Sequence, residues 1–588
     1  MIARSVSMAA LAAALAAAPA HAGEPSAPGP VHVHPGAQPA PGRTEVGPYA
    51  RDLPRGAAAP TSAAKPPLYA DLGTLSWPVG TASAEAQAYF DQGYRLAWGF
   101  NHAEAARAFR AAQAIDPGCA MCLWGEAWVL GPHINYPMDA DAVPRARAVL
   151  ARAATLAGAA PEQAALIEAL SQRYADPPPV DRKPLDRAFA DAMERVQARF
   201  PDDAEIALLT ADALMNLSPW DYWEAGGHEP KGATDRTLAL IEGVLGLRAG
   251  SAITPNPDHP GAIHLYIHTV EASDRPERAA PHAARLAALM PGTGHIVHMP
   301  SHIWYRLGQW RESLAANRAA VAADEAFVAG GGASLLYAHA YYAHNVHFVL
   351  ISALMGGDGA TATAAADKLA GIVTDRAKRE IPWTQPIAAA PYVAHARFSA
   401  PETVLALPAP DASFPLVCAH WHYARGEALA RLGRPEEALS EAAAIDELAR
   451  QPAIAAMPEA GVPAPDILAI AAHVVRARVA RAQREEARAV ALLAEAAAIQ
   501  DRLPYMEPPF WYFPVRQSLG AALLAQGRPE EAAAAFREAL KRAPNNGWAA
   551  SGLLRAAQAC GDEATAGEAR ALLERSWFGG EQPAPEML

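Results

Sequence analysis

The feature that most limits the fold is a two-helix unit that recurs along the chain. Its clearest copy is SLGAALLAQGRPEEAAAAFREALKRAP, residues 518–544. Small residues at Gly520 and Ala532 allow two antiparallel helices to approach closely, and Leu519, Leu523, Phe536 and Ala539 supply the apolar contacts between them. Gly527 suits the turn between the helices, and Pro544 ends the second one. The same spacing is found through Gly93, Ala105, Phe109, Ala112 and Pro117, and through Gly426, Leu429, Gly433 and Ala438. It recurs in 263–291 through Ala279, Leu286 and Pro291, in 294–325 through Gly308, and in 343–376 through Gly357 and Ala362. A chain of 588 residues built this way exceeds one ordinary core and forms an array instead. Alanine-rich apolar content with only 7% aromatics fits packed helices better than sheets.

These packing positions resemble the tetratricopeptide repeat (TPR) family over most of residues 80–560. The resemblance implies an all-α fold: a right-handed α-solenoid of helix hairpins that binds proteins or peptides. The histidine-bearing stretches HPGAIHLYIHTVEAS, GHIVHMPSHIW and HNVHF, together with YMEPPFWYFPVR, are similar to a group of bacterial exported TPR proteins. Ordinary TPR scaffolds grip ligands with Lys, Arg and Asn, so a histidine-lined groove departs from that pattern.

The N-terminus of the chain suggests an exported protein. Arg4, the apolar run MAALAAALAAAPA and the AHA ending at Ala22 read as a cleaved signal peptide, residues 1–22, which predicts a periplasmic or secreted protein. Residues 23–70 are rich in Pro, Ala and Gly and read as a disordered linker, with His32 and His34 as a weak metal-catching pair or simply part of that linker. Residues 71–588 form the solenoid, with 259–350 its histidine-rich centre. Nothing after the signal is apolar for long enough to predict a membrane span. A net charge of −13 without a basic cluster argues against a nucleic-acid partner. Cys119 and Cys122 form a CxxC in a helical context, readable as a local disulfide or as two small buried residues.

Ten of the 20 histidines fall between residues 259 and 347. His264 and His268 are four apart, as are His298 and His302, and the second pair follows the first by 34 residues. Numbering each repeat so that its turn glycine is position 15 puts His264 and His298 at position 5, and His268 and His302 at position 9. Glu271 is at position 12, His295 and His344 at position 2, and His347 at position 5 of the third repeat. Positions 2, 5, 9 and 12 share one helix face, distinct from the packing stripe. By the TPR resemblance, that face lines the concave groove. Imidazoles at these spacings chelate transition metals, so we expect one or two ions, with copper or zinc favoured and iron also compatible. Glu271 is a candidate ligand or general base. An open groove would leave a coordination position for water or substrate, which allows hydrolysis or oxidation of a small molecule or peptide without deciding whether the protein is an enzyme. The alternatives are a peptide-binding scaffold in which the histidines only hydrogen-bond, and periplasmic metal buffering.

Glu126, His133, Asn135, Asp212 and Asn216 fall where they would add groove wall or outer-shell partners. Trp220, Tyr222 and Trp223 read as a cap on the solenoid, and Glu507 with Arg516 as a structural pair. His259, His282 and His339 leave the stripe and read as structural, and His420 is a remote candidate. No GxSxG elbow, P-loop or HExxH is present.

Overall fold

The computed structural model describes residues 65–156, 160–179, 181–330, 333–580 and 582–583. The stretch read as a signal peptide, its expected cleavage point and most of the expected linker, with His32 and His34, lie outside the described residues. The last linker residues, 65–70, are tied to the first helix: the Tyr89 hydroxyl donates to the Pro66 carbonyl and Gln92 to that of Pro67. The Tyr69 amide donates to Gln92, and its hydroxyl to Glu104. The packed body therefore begins a few residues before the composition suggests.

The described chain is an all-α solenoid of helix hairpins in which each helix packs on its neighbours in sequence. Ala84–Trp98 pairs with His102–Ile115, and Val515–Ala525 with Pro529–Arg542. The small-residue reasoning holds at both ends. A Cβ on Gly93 or Gly125 would sit 2.9 or 2.5 Å from the Phe109 ring. A Cβ on Gly520 or Gly552 would sit 2.9 or 2.2 Å from Phe536. One phenyl ring is thus clamped between glycines of the preceding and following helices, and a methyl group at either glycine would force it out.

The predicted turn glycines Gly308, Gly357, Gly433 and Gly527 all have positive φ. The first hairpin breaks the rule: Phe100 holds that backbone region, at φ 55°. A bulky residue there is strained, so its ring must gain something from the placement.

Among the described residues two large hydrophobic cores run along the solenoid, with a small third cluster of Leu429, Ala430, Ala438 and Val479. One contains residues from Leu72 to Tyr341, the other residues from Tyr305 to Ala569. They overlap in sequence between Tyr305 and Tyr341, next to the histidine-bearing helices. Among the described residues, no single helix is long and apolar enough to cross a membrane.

Candidate metal centre

Four helical segments carry the site. Pro260–Val270 starts on a proline and is capped by the His259 ring, whose Nδ1 accepts from the Ala262 amide at 3.2 Å. It presents His264 and His268 one turn apart and ends at Glu271. Gly294–His298 and Pro300–Arg306 carry His295, His298 and His302, and the break at Met299 comes where Pro300 lacks an amide hydrogen. Tyr342–Gly356 carries His344 and His347 and follows a π-helical turn, Tyr337–Tyr341, which leaves Tyr341 on the cavity wall. All seven histidines and Glu271 are buried. The open groove expected from the repeat pattern is instead a closed hollow, because loops from distant parts of the chain cover the stripe.

The ligating atoms converge. Metal-compatible groups form from His264, His268 and His295, and from His298, His302 and His344, with each group's donor atoms within 4.8 Å of one another. In repeat positions, each triad is 5 and 9 of one repeat plus 2 of the next. A third compatible group, His268, Glu271 and His302, joins the two triads. His347 belongs to neither triad; its Nε2 lies 2.7 Å from the Tyr512 hydroxyl.

Hydrogen bonds fix the tautomers. His264 Nδ1 is 2.6 Å from the Trp98 carbonyl, which can only accept, so Nδ1 carries the proton. Asn317 donates its amide to the Ser313 carbonyl at 2.7 Å, which turns its oxygen toward His298 Nδ1 at 2.6 Å. Glu271 accepts from His268 Nδ1 at 2.8 Å and from His302 Nδ1 at 2.6 Å. In neutral imidazoles all four Nε2 atoms are then lone pairs. Yet His298 Nε2 and His302 Nε2 lie 2.8 Å apart, and His264 Nε2 and His295 Nε2 lie 3.1 Å apart. The His298–His302 contact sets two lone pairs face to face and needs an added proton or a cation to be favourable, whereas His295, whose Nδ1 has no partner, can carry its proton on Nε2 and donate it to His264 Nε2. Two ligands set at about 90–110° on one ion, each about 2.0–2.1 Å away, are about 2.8–3.4 Å apart. His268 Nε2 and His295 Nδ1 are buried with no hydrogen-bond partner.

Glu271 sits behind the imidazoles. Both its oxygens are taken by Nδ1 atoms, one from each triad, the carboxylate–histidine arrangement that orients metal ligands. Burial opposes its charge, but His302 and His268 hold its carboxyl down at about 2. Burial lowers His302 as well, but the Glu271 carboxylate outweighs it and raises this imidazole. Burial, followed by repulsion among the rings, keeps His295 and His344 well below the usual range.

A second carboxyl completes the network. Tyr505 contacts Glu507 and lies 3.1 Å from Glu271 Oε2. Its single hydroxyl proton cannot serve both carboxylates, so Glu507 must supply the other. Burial, reinforced by the Glu271 charge, pushes Glu507 up to about 8, which keeps that proton in place. The expected Glu507–Arg516 pair does not form: Arg516 reaches Asp501, because the loop turns Glu507 inward.

The walls are aromatic. The ring centroid of Phe100 lies 4.4 Å from that of His264, 5.4 Å from His295 and 4.5 Å from His133. That contact explains the strained turn: the ring shields three imidazoles from water. Trp220 packs 5.1 Å from His268 and donates to Asn135 Oδ1 at 3.1 Å, so this loop walls the site as well as capping the solenoid. Asn135 lines the hollow beside Tyr341 and Trp383. Three other predicted wall residues are engaged elsewhere. Glu126 is bound by Arg110, Arg145 and Gln113. Asp212 accepts from Asn216 and from Trp128. Of the residues read as structural, His259 meets Glu205 at 3.2 Å and His339 meets the Ile372 carbonyl at 2.8 Å.

Sequence reasoning assigned no role to Phe100, His102, Asn317 or Tyr505. Only Phe100 left a trace, as the residue in place of a turn glycine. Cys119 and Cys122 form a disulfide at the start of Ala120–Leu130.

No curated protein matches the chain in sequence. Among solved structures, the TPR domain of P58(IPK) is 11% identical over 82% of this chain and 99% of that one, with a TM-score of 0.21. The human IFIT1 dimer with m7Gppp-AAAA is 13% identical over 85% and 90%, with a TM-score of 0.30. Yeast Tom70 is 13% identical over 84% and 91%, with a TM-score of 0.26. The tetratricopeptide repeat family matches residues 515–546, the hairpin in which Phe536 is clamped.

Proposed function

We propose that the buried cluster is a binuclear transition-metal centre in an exported TPR-like solenoid. One ion sits on His264, His268 and His295, the other on His298, His302 and His344. Glu271 orients one ligand of each. The observation that supports this reading is the convergence of two histidine triads, in one of which His298 Nε2 and His302 Nε2 face each other with their Nδ1 protons already committed. Three protein ligands leave a position for water or substrate, so the chemistry would be metal-assisted hydrolysis or oxidation of a small molecule or peptide. The imidazole sets suit copper or zinc, and iron also fits. Export rests on the N-terminal sequence and is supported by the Cys119–Cys122 disulfide, a bond at home in oxidising compartments.

The test is elemental analysis of protein purified from its native compartment, with N-terminal sequencing for a start at Gly23. Two equivalents of metal per chain are expected. A chain with no stoichiometric metal, and no gain in melting temperature on titration with Zn, Cu, Fe, Mn or Ni ions, would refute the centre. The repeat at 515–546 favours the second reading, a scaffold that holds a partner's peptide, and that reading would then stand.

A further inference from the structure

The helix face that carries imidazoles in the central repeats carries guanidinium groups further along the chain. With the turn residue Gly433 at position 15, Tyr423 is position 5 and Glu427 position 9 of Pro415–Arg431. In the next hairpin Arg484 holds the positive-φ place of the turn, at 63°, which puts Arg478 at position 9 and Arg481 at position 12 of Ala464–Ala482. These four side chains line a cavity of about 420 Å³, together with Arg397 from Thr384–Phe398, Arg431 and Glu486. That is the size of a small-molecule site.

Four guanidinium groups and two carboxylates line this cavity, an excess of two positive charges in a chain whose net charge is −13. Glu427 accepts from Arg478 Nε at 3.2 Å, and Glu486 lies 3.9 Å from Arg481 Nε, so each carboxylate offsets one guanidinium. Arg431 donates to the Ser399 carbonyl at 3.2 Å, a neutral acceptor that leaves its charge in place. The Arg397 guanidinium lies over two rings, 4.1 Å from the centroid of Phe513 and 4.8 Å from that of Trp548, which hold the planar group still. Burial, followed by repulsion from Arg478, pulls Arg397 down to about 10, so it stays charged at neutral pH. An anion in the cavity relieves that repulsion. Val393, Ala396 and Ala430 add an apolar stretch of wall.

We propose that this cavity binds a small organic dianion, a phosphate monoester or a dicarboxylate with a short apolar body. Guanidinium groups present paired N–H donors that match either anion. The excess of two positive charges sets the charge of the ligand, and the volume restricts it to a small molecule. The site shares no residue with the histidine triads, so it stands whether or not they hold metal.

The probes are phenyl phosphate, phthalate, benzoate, benzylammonium and tetra-aspartate, titrated calorimetrically into the full chain at about pH 8, where both dianions are fully ionised. At least one dianion should bind about tenfold tighter than benzoate, and benzylammonium should not bind. Phenyl phosphate alone would identify a phosphate monoester, phthalate alone a dicarboxylate, and either result supports the site. Arg397→Gln and Arg431→Gln should each weaken the dianion about tenfold. Ala482→Trp, at an exposed position on the cavity wall, should block it. Arg450→Gln, an exposed arginine outside the cavity, should change nothing. If Arg397→Gln fails to fold, Arg431→Gln and Ala482→Trp still decide. The site is overturned if neither dianion binds at about 1 mM, if benzoate or tetra-aspartate binds as tightly as the better dianion, or if binding ignores Arg431→Gln and Ala482→Trp, as it would for a dianion held at the metal centre.

Discussion

Glu271→Gln separates an orienting carboxylate from a direct metal ligand. The wild-type carboxylate offers one oxygen to His268 Nδ1 at 2.8 Å and the other to His302 Nδ1 at 2.6 Å. Glutamine keeps the shape but has a single acceptor oxygen. Its amide nitrogen must face one of the two Nδ1–H groups, and two donors repel. That ring can relieve the clash only by moving its proton to Nε2, the atom needed by the ion. One triad then loses a ligand while the other keeps its geometry. Loss of an outer partner of a ligating histidine typically weakens metal binding about 10–100-fold, or about 1.4–2.8 kcal/mol. The assay is equilibrium dialysis against graded free zinc with metal counted per chain. Wild type should bind two ions with similar affinity, and the variant should bind one at wild-type strength and the other 10–100-fold more weakly. If both ions bind the variant as tightly as wild type, Glu271 orients neither triad. If both are lost together, Glu271 ligates or the two ions form a single unit.

Without metal, His302 is raised above 6.5, so its stabilisation is complete below that pH and fades as pH rises through the raised value. Glu271 is depressed to about 2, so its share is present above 4.5 and is lost as pH falls toward 2. The contribution of this pair to metal-free melting should therefore be largest between those limits, and zinc should reverse the alkaline loss; a melting temperature flat in pH and unaffected by Glu271→Gln would contradict the pairing. Burial pushes Asp324 up to about 7, so the folded state favours its protonated form and loses stability as pH rises from about 4 to 7. Asp324→Asn should flatten that slope in urea melts, since Asn345 can flip its unpartnered oxygen toward the new amide. Gly294→Ala places a Cβ 1.8 Å from Asp324 Oδ1, and should destabilise by about 1–3 kcal/mol in denaturant titrations while displacing His295. Phe100→Ala opens the shield over three rings and should cost about 3–5 kcal/mol in the same titrations, with metal exchange against a chelator faster than in wild type.

The legible and illegible parts of this molecule differ in sequence range. Gly93, Phe109, Gly520 and Phe536 can be read because a helix hairpin repeats its small-against-large contact at a fixed spacing. His264, His268, His295, His298, His302 and His344 can be read because they recur at equivalent helix positions. What covers them cannot be read that way. Trp220 and Tyr505 come from loops, and Asn317 from the opposing helix of a hairpin, so no period ties them to the histidines. The same loops turn the expected open groove into a closed one. Glu271 was placed on the correct face, but its role depends on which imidazole nitrogen it meets, and spacing does not encode that.

The triad rule also explains why the cluster ends where it does. Each triad needs positions 5 and 9 of one repeat and position 2 of the next. Before the first triad those places hold Leu208, Asp212 and Gly261, and a Cβ on Gly261 would lie 2.5 Å from Trp98. No imidazole can stand there without displacing the indole. After the second triad His347 occupies position 5, but Ile351 occupies position 9 and is fully buried. Left without a partner one turn on, His347 turns to Tyr512 and faces an apolar cavity. The repeat thus sets a spacing that would accommodate more ions, and Leu208, Asp212, Gly261 and Ile351 at those positions limit it to two triads. Ile351→His should test this directly: it would compete with Tyr512 for the His347 ring, and equilibrium dialysis should still count zinc at the two triads with wild-type affinity.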